Sequence, residues 1–152
     1  MSGEIAARLA EVQARIAGAA ARSGRRASAV TLVAVSKTVP VSRVQEARAA
    51  GAKIFGENRV QEARDKVPQV AGASWHLVGH LQTNKAKQAV ELFECIHSLD
   101  SVRLAGEVNR HAAAAGKRMR CLIEVNLGEE PQKSGTAAEE VRQLCKVAEE
   151  LP

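Results

Sequence analysis

The sequence is poor in aromatic residues, with one Trp, two Phe and no Tyr among its 152 residues. RNA-recognition sheets and single-strand-binding grooves stack bases on aromatic side chains, so this scarcity argues against both. The lack of Tyr also excludes every mechanism that needs a tyrosine acid or base from this chain. Aromatic content therefore disfavours two nucleic-acid functions and one kind of enzyme chemistry.

Cysteine and long apolar runs are also scarce. Cys95, Cys121 and Cys145 are widely spaced and form no CxxC pair, which is typical of a reducing cytosol and not of a disulfide framework. No apolar run approaches the roughly 20 residues of a membrane span, and the charged N-terminal segment lacks the apolar core of a signal peptide. We therefore expect a cytoplasmic protein with no membrane partner.

Charge of neither sign dominates. Basic residues number 22 and acidic residues 17, for a net charge of +5. The densest basic run contains Arg22, Arg25 and Arg26, and no nucleic-acid-binding motif accompanies it, so a solvated surface is favoured over a nucleic-acid partner. GxGxxG, Walker A and GxSxG patterns are absent as well, which leaves no recognisable phosphate loop.

What the sequence does have is a regular alternation of strand and helix patterns after one leading helix. Apolar residues at spacings of three and four predict that helix up to about Arg22, ending at Ser23-Gly24. The run from Val30 to Ser36 predicts a strand buried on both faces. Thr136 with Glu139 predicts a capping box for the last helix. Further strands are predicted over 52–55, 74–78, 93–97 and 119–126, and helices over 41–50, 58–67, 84–92, 101–115 and 136–151.

Two α/β architectures accommodate these five βα units. One is an open, doubly wound parallel sheet, and the other is part of a (β/α)₈ barrel. Each connection is long enough for a right-handed crossover. Five units are too few to close an eight-stranded barrel, and the pattern alone does not choose between the two. No linker or shift in composition divides the chain, so we expect one domain over residues 1–152.

In both architectures the functional site lies where the strands end, so the candidate residues are those that follow each predicted strand. Lys37 stands out because it follows an apolar strand, which would place its amine at the mouth of a dry interior. A desolvated lysine can act as a nucleophile toward an aldehyde, whereas a lysine at a strand end commonly extends into solvent. Polar residues follow the other strands at 56–59, 79–85, 97–101 and 126–129.

Histidines and carboxylates at these strand ends offer weaker candidates. His76 and His80 are four residues apart, but His76 lies in a predicted strand and no HExxH pattern is present, so a zinc site is disfavoured. His97 is predicted to be a hydrogen-bonding residue at a strand end. Glu57 and Asp100 are a candidate acid–base pair, although two carboxylates at such positions are common by chance.

Several of these segments resemble the pyridoxal phosphate homeostasis proteins (the YggS/PROSC family). The resemblance rests on five segments that run in order along the chain, and the one from Trp75 to Lys85 is very specific. They are Ala34-Val-Ser-Lys-Thr38, Phe55-Gly-Glu-Asn58 with Gln61-Glu62, Trp75-His-Leu-Val-Gly-His-Leu-Gln-Thr-Asn-Lys85, His97-Ser-Leu-Asp100 and Lys133-Ser-Gly135.

The resemblance implies a TIM-barrel-like fold of the alanine racemase N-terminal type. It implies that Lys37 holds pyridoxal 5'-phosphate as an internal aldimine, and that Asn58 and His80 line the mouth of the cofactor site. Members of this family bind, buffer and deliver the cofactor, so weak or no turnover is expected. The partners implied are pyridoxal phosphate itself and the apo-enzymes that receive it.

The resemblance also implies that residues 1–152 form a cofactor-binding barrel domain without its C-terminal units, where the family's phosphate contacts lie. Open barrel edges predict self-association. The alternative function is an amino-acid racemase or decarboxylase of the same fold. Racemisation in such enzymes uses the lysine together with a tyrosine from a second domain, and this chain has no Tyr.

Overall fold

Five parallel strands and six helices make up the computed structural model, which describes residues 2–128, 132 and 134–151. The strands are β1 Ala34–Val35, β2 Ile54–Glu57, β3 Ser74–Leu77, β4 Cys95–Leu99 and β5 Arg120–Ile123. The helices are α1 Ser2–Arg22, α2 Val41–Ala49, α3 Val60–Lys66, α4 Ala86–Leu92, α5 Val102–Ala114 and α6 Val141–Glu150.

The strands are ordered β1-β2-β3-β4-β5, so each pairs with the strand that precedes it in the chain. A doubly wound sheet reverses its order at a switch point, and this sheet does not, so that alternative is wrong. Right-handed crossovers in one direction place all the connecting helices on the same face. The sheet is therefore an arc of the TIM-barrel type, as the resemblance predicted.

The hydrophobic core lies between the helices and the outer face of the sheet. Phe55, Trp75, Leu77 and Ile96 point to that face and are almost fully buried. They pack against small and branched residues of the helices, including Val44, Ala63, Ala89, Val90, Leu104 and Val108. Burial of these side chains fixes which strand residues point toward the helices, because alternate residues of a strand face opposite sides of the sheet.

The opposite face of the sheet, called the inner face here, is more open. Val35 is in register with Gly56, Gly56 with His76, His76 with Cys95, and Cys95 with Arg120, so these five residues share it. Val35 on β1 is 50% exposed, and Leu122 on β5 is 54% exposed. Polar and ionisable groups can therefore occupy this face without displacing the core.

The predicted first strand is wrong in length and burial. Only Ala34–Val35 pair as strand, and Val30 and Val35 are exposed. The reason is the position of this strand at an edge of the described sheet, where it has one neighbour and an uncovered inner face.

The predicted capping box of Thr136 and Glu139 is also wrong. Thr136 Oγ1 donates to Glu140 Oε2 (3.1 Å), and helix α6 begins later, at Val141.

Candidate functional site at the strand ends

Lys37 lies in the turn that follows β1. Its side chain is exposed, so the expectation of a dry surrounding is wrong for this chain. The cause is again the edge position of β1, which leaves its inner face open to solvent. What distinguishes Lys37 is that hydrogen bonds from other elements hold the residues on both sides of it.

A buried ion pair holds the residue before Lys37. Lys66 Nζ donates to Glu57 Oε1 and to the carbonyl oxygen of Ser36, both at 2.7 Å, and Ser36 Oγ donates to the same Glu57 oxygen at 2.6 Å. The Glu57 side chain is fully buried, and that of Lys66 is 9% exposed. These charge-assisted bonds tie the end of β1 to β2 and α3.

A second set of bonds holds the residue after Lys37. Thr38 has a φ of 62°, a left-handed conformation that a β-branched residue rarely adopts. Its backbone N–H donates to Glu62 Oε2 (3.0 Å), and its hydroxyl donates to the carbonyl oxygen of Lys37 (2.6 Å). The Thr38 N–H bond, with a smaller contribution from Lys66, lowers the pKa of Glu62 below its usual value of 4.5. The charged carboxylate of Glu62 therefore stabilises this unusual turn.

The predicted site residues Asn58 and His80 lie on the loops after β2 and β3. Gly79 brings these loops together, since a Cβ at this position would lie 2.3 Å from the backbone oxygen of Asn58. Asn58 is half-buried and His80 is exposed. His80 Nδ1 lies 3.3 Å from Asp100 Oδ2. The candidate acid–base pair of Glu57 and Asp100 is therefore wrong, because Glu57 pairs with Lys66 and Asp100 with His80.

A third group occupies the inner face of β3 and β4. His76 Nδ1 and His97 Nε2 lie 3.0 Å apart, and one ligand atom from each histidine and the sulfur of Cys95 all lie within 4.8 Å of one another. His76 thus pairs with His97 and not with His80. Burial lowers the pKa of both histidines and raises that of Cys95. The predicted hydrogen-bonding role of His97 is confirmed.

Neither this cluster nor the Glu57–Lys66 pair was predicted from the sequence. Cys95 and His97 have the two-residue spacing that puts side chains on one face of a strand, and this was the available signal. Their proximity to His76 depends on strand register. No sequence pattern links Glu57 with Lys66.

The turn before α6 packs against the end of β5. Asn126 donates its N–H to the Thr136 oxygen, and Thr136 donates its N–H to the Glu124 oxygen. Gly135 has a φ of 115°, and a Cβ there would lie 2.7 Å from the nitrogen of Asn126. Two residues singled out in the sequence, Glu129 and Lys133, lie outside the described residues.

Within the described residues, no helix combines the length and apolar character that crossing a bilayer requires. Cys95, Cys121 and Cys145 are free thiols.

The fold and the strand-end residues define a β/α-barrel domain with polar groups gathered at the carboxyl ends of its strands.

Comparison with known proteins agrees with this class. The alanine racemase N-terminal domain family matches residues 8–152, and the chain belongs to that family. The pyridoxal phosphate homeostasis protein of Escherichia coli (strain K12) is 40% identical over 154 residues, covering 98% of this chain and 66% of that protein. That of Pseudomonas aeruginosa (strain PAO1) is 39% identical, covering 97% and 65%. The chain thus spans just under two thirds of the length of these relatives.

Solved structures show the same likeness. PipY of Synechococcus elongatus PCC7942, determined without PLP, aligns with a TM-score of 0.85 at 38% identity, covering 97% of this chain and 66% of PipY. Its structure with PLP bound aligns with a TM-score of 0.80 at the same identity, covering 97% and 65%. An alanine racemase from Clostridium difficile 630 shares the fold at 12% identity, with a TM-score of 0.68 and coverage of 81% and 33%.

Proposed function

We propose that this chain binds pyridoxal 5'-phosphate through Lys37 and takes part in intracellular homeostasis of that cofactor. The observation that carries the proposal is the alignment with PLP-bound PipY over 97% of the chain at 38% identity. The name of the Escherichia coli relative, pyridoxal phosphate homeostasis protein, supports the same function. Pyridoxal phosphate supplies an aldehyde, which condenses with a neutral primary amine with loss of water.

The residues around Lys37 fit this ligand. The Lys37 amine is exposed, so an aldehyde reaches it without opening the core. The fixed turn limits the positions that the side chain samples, because Ser36 and Thr38 are both held by the network of Glu57, Lys66 and Glu62. Lower mobility of the attachment point reduces the entropy lost on binding.

An apolar patch lies on the inner face beside this turn. Val33, Val35 and Val78 converge around Gly56, and their methyl groups come within 3.1 to 3.3 Å of the position a Cβ would take there. A flat aromatic ring is suited to such a patch. Asn58 contributes an amide that donates and accepts hydrogen bonds, and His80 contributes an imidazole oriented by Asp100. We assign both to the mouth of the cofactor site.

We propose that the domain binds and releases the cofactor with weak or no turnover of amino acids. The names of the relatives support this proposal, whereas the likeness to racemases is a likeness of fold. Apo-enzymes are the proposed receivers of the cofactor, and the cytoplasm, where thiols stay reduced, is the proposed location. Formation of D-alanine from L-alanine, well above the rate with free pyridoxal phosphate, would overturn the non-enzymatic part of the proposal.

The attachment site is tested by borohydride reduction of the protein mixed with pyridoxal phosphate, followed by peptide mass spectrometry. We expect one labelled peptide, containing Lys37, and visible absorbance of the bound cofactor before reduction. Lys37→Ala should lose both signals and keep its far-ultraviolet circular dichroism. Lys87→Ala, which removes an exposed lysine of α4, is the matched control and should keep them. Label that persists on Lys85 or Lys133 in Lys37→Ala contradicts the assignment.

A further inference from the structure

The cluster of His76, Cys95 and His97 has no role in the proposed attachment of pyridoxal phosphate. We propose that these three side chains form a binding site for a divalent transition metal, with Zn²⁺ as the best match. Among the described residues it is the one group of three or more His, Cys, Asp or Glu side chains close enough to share an ion.

The donor atoms suit zinc. Zinc binds imidazole nitrogen and thiolate sulfur, and sites with three protein ligands keep a fourth position for water or another ligand. A set of two histidines and one cysteine also disfavours Mg²⁺ and Ca²⁺, which prefer oxygen. When the ion binds, the Cys95 thiol gives its proton to solvent and the sulfur enters as thiolate. The histidines enter as neutral ligands.

The geometry requires small movements. Zinc–nitrogen and zinc–sulfur bonds of about 2.0 to 2.3 Å put tetrahedral ligand atoms roughly 3.3 to 3.8 Å apart. The two histidine nitrogens are now 3.0 Å apart, and the widest separation in the cluster is no more than 4.8 Å. The ion would replace the hydrogen bond between the rings. Rotations of the side chains are enough, because strand register already holds the three residues on one face.

An ion has access to this cluster from the inner face. His97 is half-buried, whereas His76 and Cys95 are buried, so His97 marks the open side. Arg120 is in register with Cys95, and its positive charge opposes the cation. Its exposure to solvent screens that repulsion.

Titration of the 152-residue chain with Co²⁺ and Zn²⁺ tests the site. Co²⁺ bound to a thiolate gives a charge-transfer band in the near ultraviolet, and a tetrahedral ion gives intense visible bands. We expect both bands to saturate at one ion per chain and to disappear when Zn²⁺ displaces Co²⁺. Zn²⁺ should also raise the midpoint of thermal unfolding, because a ligand that binds the folded state stabilises it.

Variants separate this site from chance binding at other thiols and imidazoles. Cys95→Ser should abolish the charge-transfer band, and His97→Gln should weaken Zn²⁺ binding by more than about tenfold. Cys145→Ser and His111→Gln are the controls, and both should bind as the parent chain does. Circular dichroism of each variant without metal checks that it folds.

Three outcomes would overturn the proposal. One is the absence of a thiolate band in the folded parent chain. Another is loss of the band in Cys145→Ser with retention in Cys95→Ser. The third is a Zn²⁺ affinity that the His97 substitution leaves unchanged. None of these readouts involves Lys37 or pyridoxal phosphate, so failure of the metal site can be distinguished from failure of the proposed function.

Discussion

Lys66 Nζ and Glu57 Oε1 lie 2.7 Å apart beneath the turn that carries Lys37. The pair joins β2 to α3, and Lys66 also binds the carbonyl oxygen of Ser36. The second carboxylate oxygen of Glu57 is buried with no hydrogen-bond partner among the described residues. Burial of the pair therefore carries a large desolvation cost, and the pair contributes mainly by fixing the position of the turn.

Breaking this pair should strongly destabilise the protein. Removal of one partner of a buried ion pair costs about 3 to 5 kcal/mol, and Glu62 Oε2, which lies 3.6 Å from Lys66 Nζ, compensates the remaining charge only in part. We expect Glu57→Gln to lower the free energy of unfolding in urea by an amount of this order. Glu4→Gln is the control, because the Glu4–Arg8 pair is exposed on α1 and should change stability by less than about 0.5 kcal/mol. Equal effects of the two substitutions would contradict this assignment.

Acid should loosen the Thr38 turn through Glu62. The pKa of Glu62 is lower in the folded chain than its usual 4.5, so the folded state binds fewer protons than the unfolded state. Its contribution to stability is complete above pH 4.5 and is lost as pH falls through the folded value. Urea unfolding measured across this range should show a smaller loss in Glu62→Gln than in the parent chain. Parallel pH profiles would show that the Thr38 bond does not stabilise the fold.

Gly79 and Gly106 should respond to alanine with opposite signs. A Cβ at Gly79 meets backbone atoms of Asn58, which cannot move aside, so Gly79→Ala should cost about 1 to 3 kcal/mol. Gly106 lies within α5 with open space around it, and Gly106→Ala should stabilise by about 0.5 to 1 kcal/mol. Thermal unfolding of both variants checks this prediction. A neutral Gly79→Ala would mean that the two loops are not in firm contact.

Self-association through the inner face and its edges stays a prediction. Val35 on β1 and Leu122 on β5 are exposed on the two edge strands of the described sheet. Edge strands with exposed apolar residues pair readily with other chains. Light scattering should therefore show a mass that rises with protein concentration, and Leu122→Lys should reduce the rise. Val12→Lys on α1 is the control. A constant monomer mass, or an equal effect of both substitutions, would exclude the edge strands as the cause.

The C-terminal ends of α1, α2 and α5 and the start of α5 could be predicted from the sequence, because local chemistry determines them, whereas the start of α6 could not. Gly24, Gly51 and Gly116 have positive φ after α1, α2 and α5. Ser101 caps α5, accepting a bond from the N–H of Leu104. These signals act within a few residues of the chain, so a single sequence reveals them.

The first residues of strands were harder to predict, because an apolar pattern shows that a residue is buried but not whether it belongs to a strand or to the end of a helix. The second and fourth strands begin about two residues later than expected, at Ile54 and Cys95. Ala52 and Phe93 are buried, but their N–H groups bond to residues of the preceding helices. The apolar pattern therefore included residues that close a helix.

The site residues divide in the same way. The position of Lys37 after an apolar strand makes it a candidate, and the resemblance names Lys37, Asn58 and His80 as residues of the proposed site. The contacts that fix the Lys37 turn come from Glu57 on β2 and from Glu62 and Lys66 on α3. The cluster of His76, Cys95 and His97 brings together two strands. Such contacts depend on packing and register, which a single sequence does not specify.

The consecutive strand order has a consequence for folding. Each strand pairs with the one made just before it, so sheet growth needs no contact between distant parts of the chain. Each parallel pairing still requires a crossover of about 20 residues to close, as between Ala34 and Phe55, so every added strand carries the entropy cost of that loop. During synthesis, each newly emerging βα unit meets a finished neighbour, and the arc can extend one unit at a time from its N-terminal edge while the ribosome is still translating.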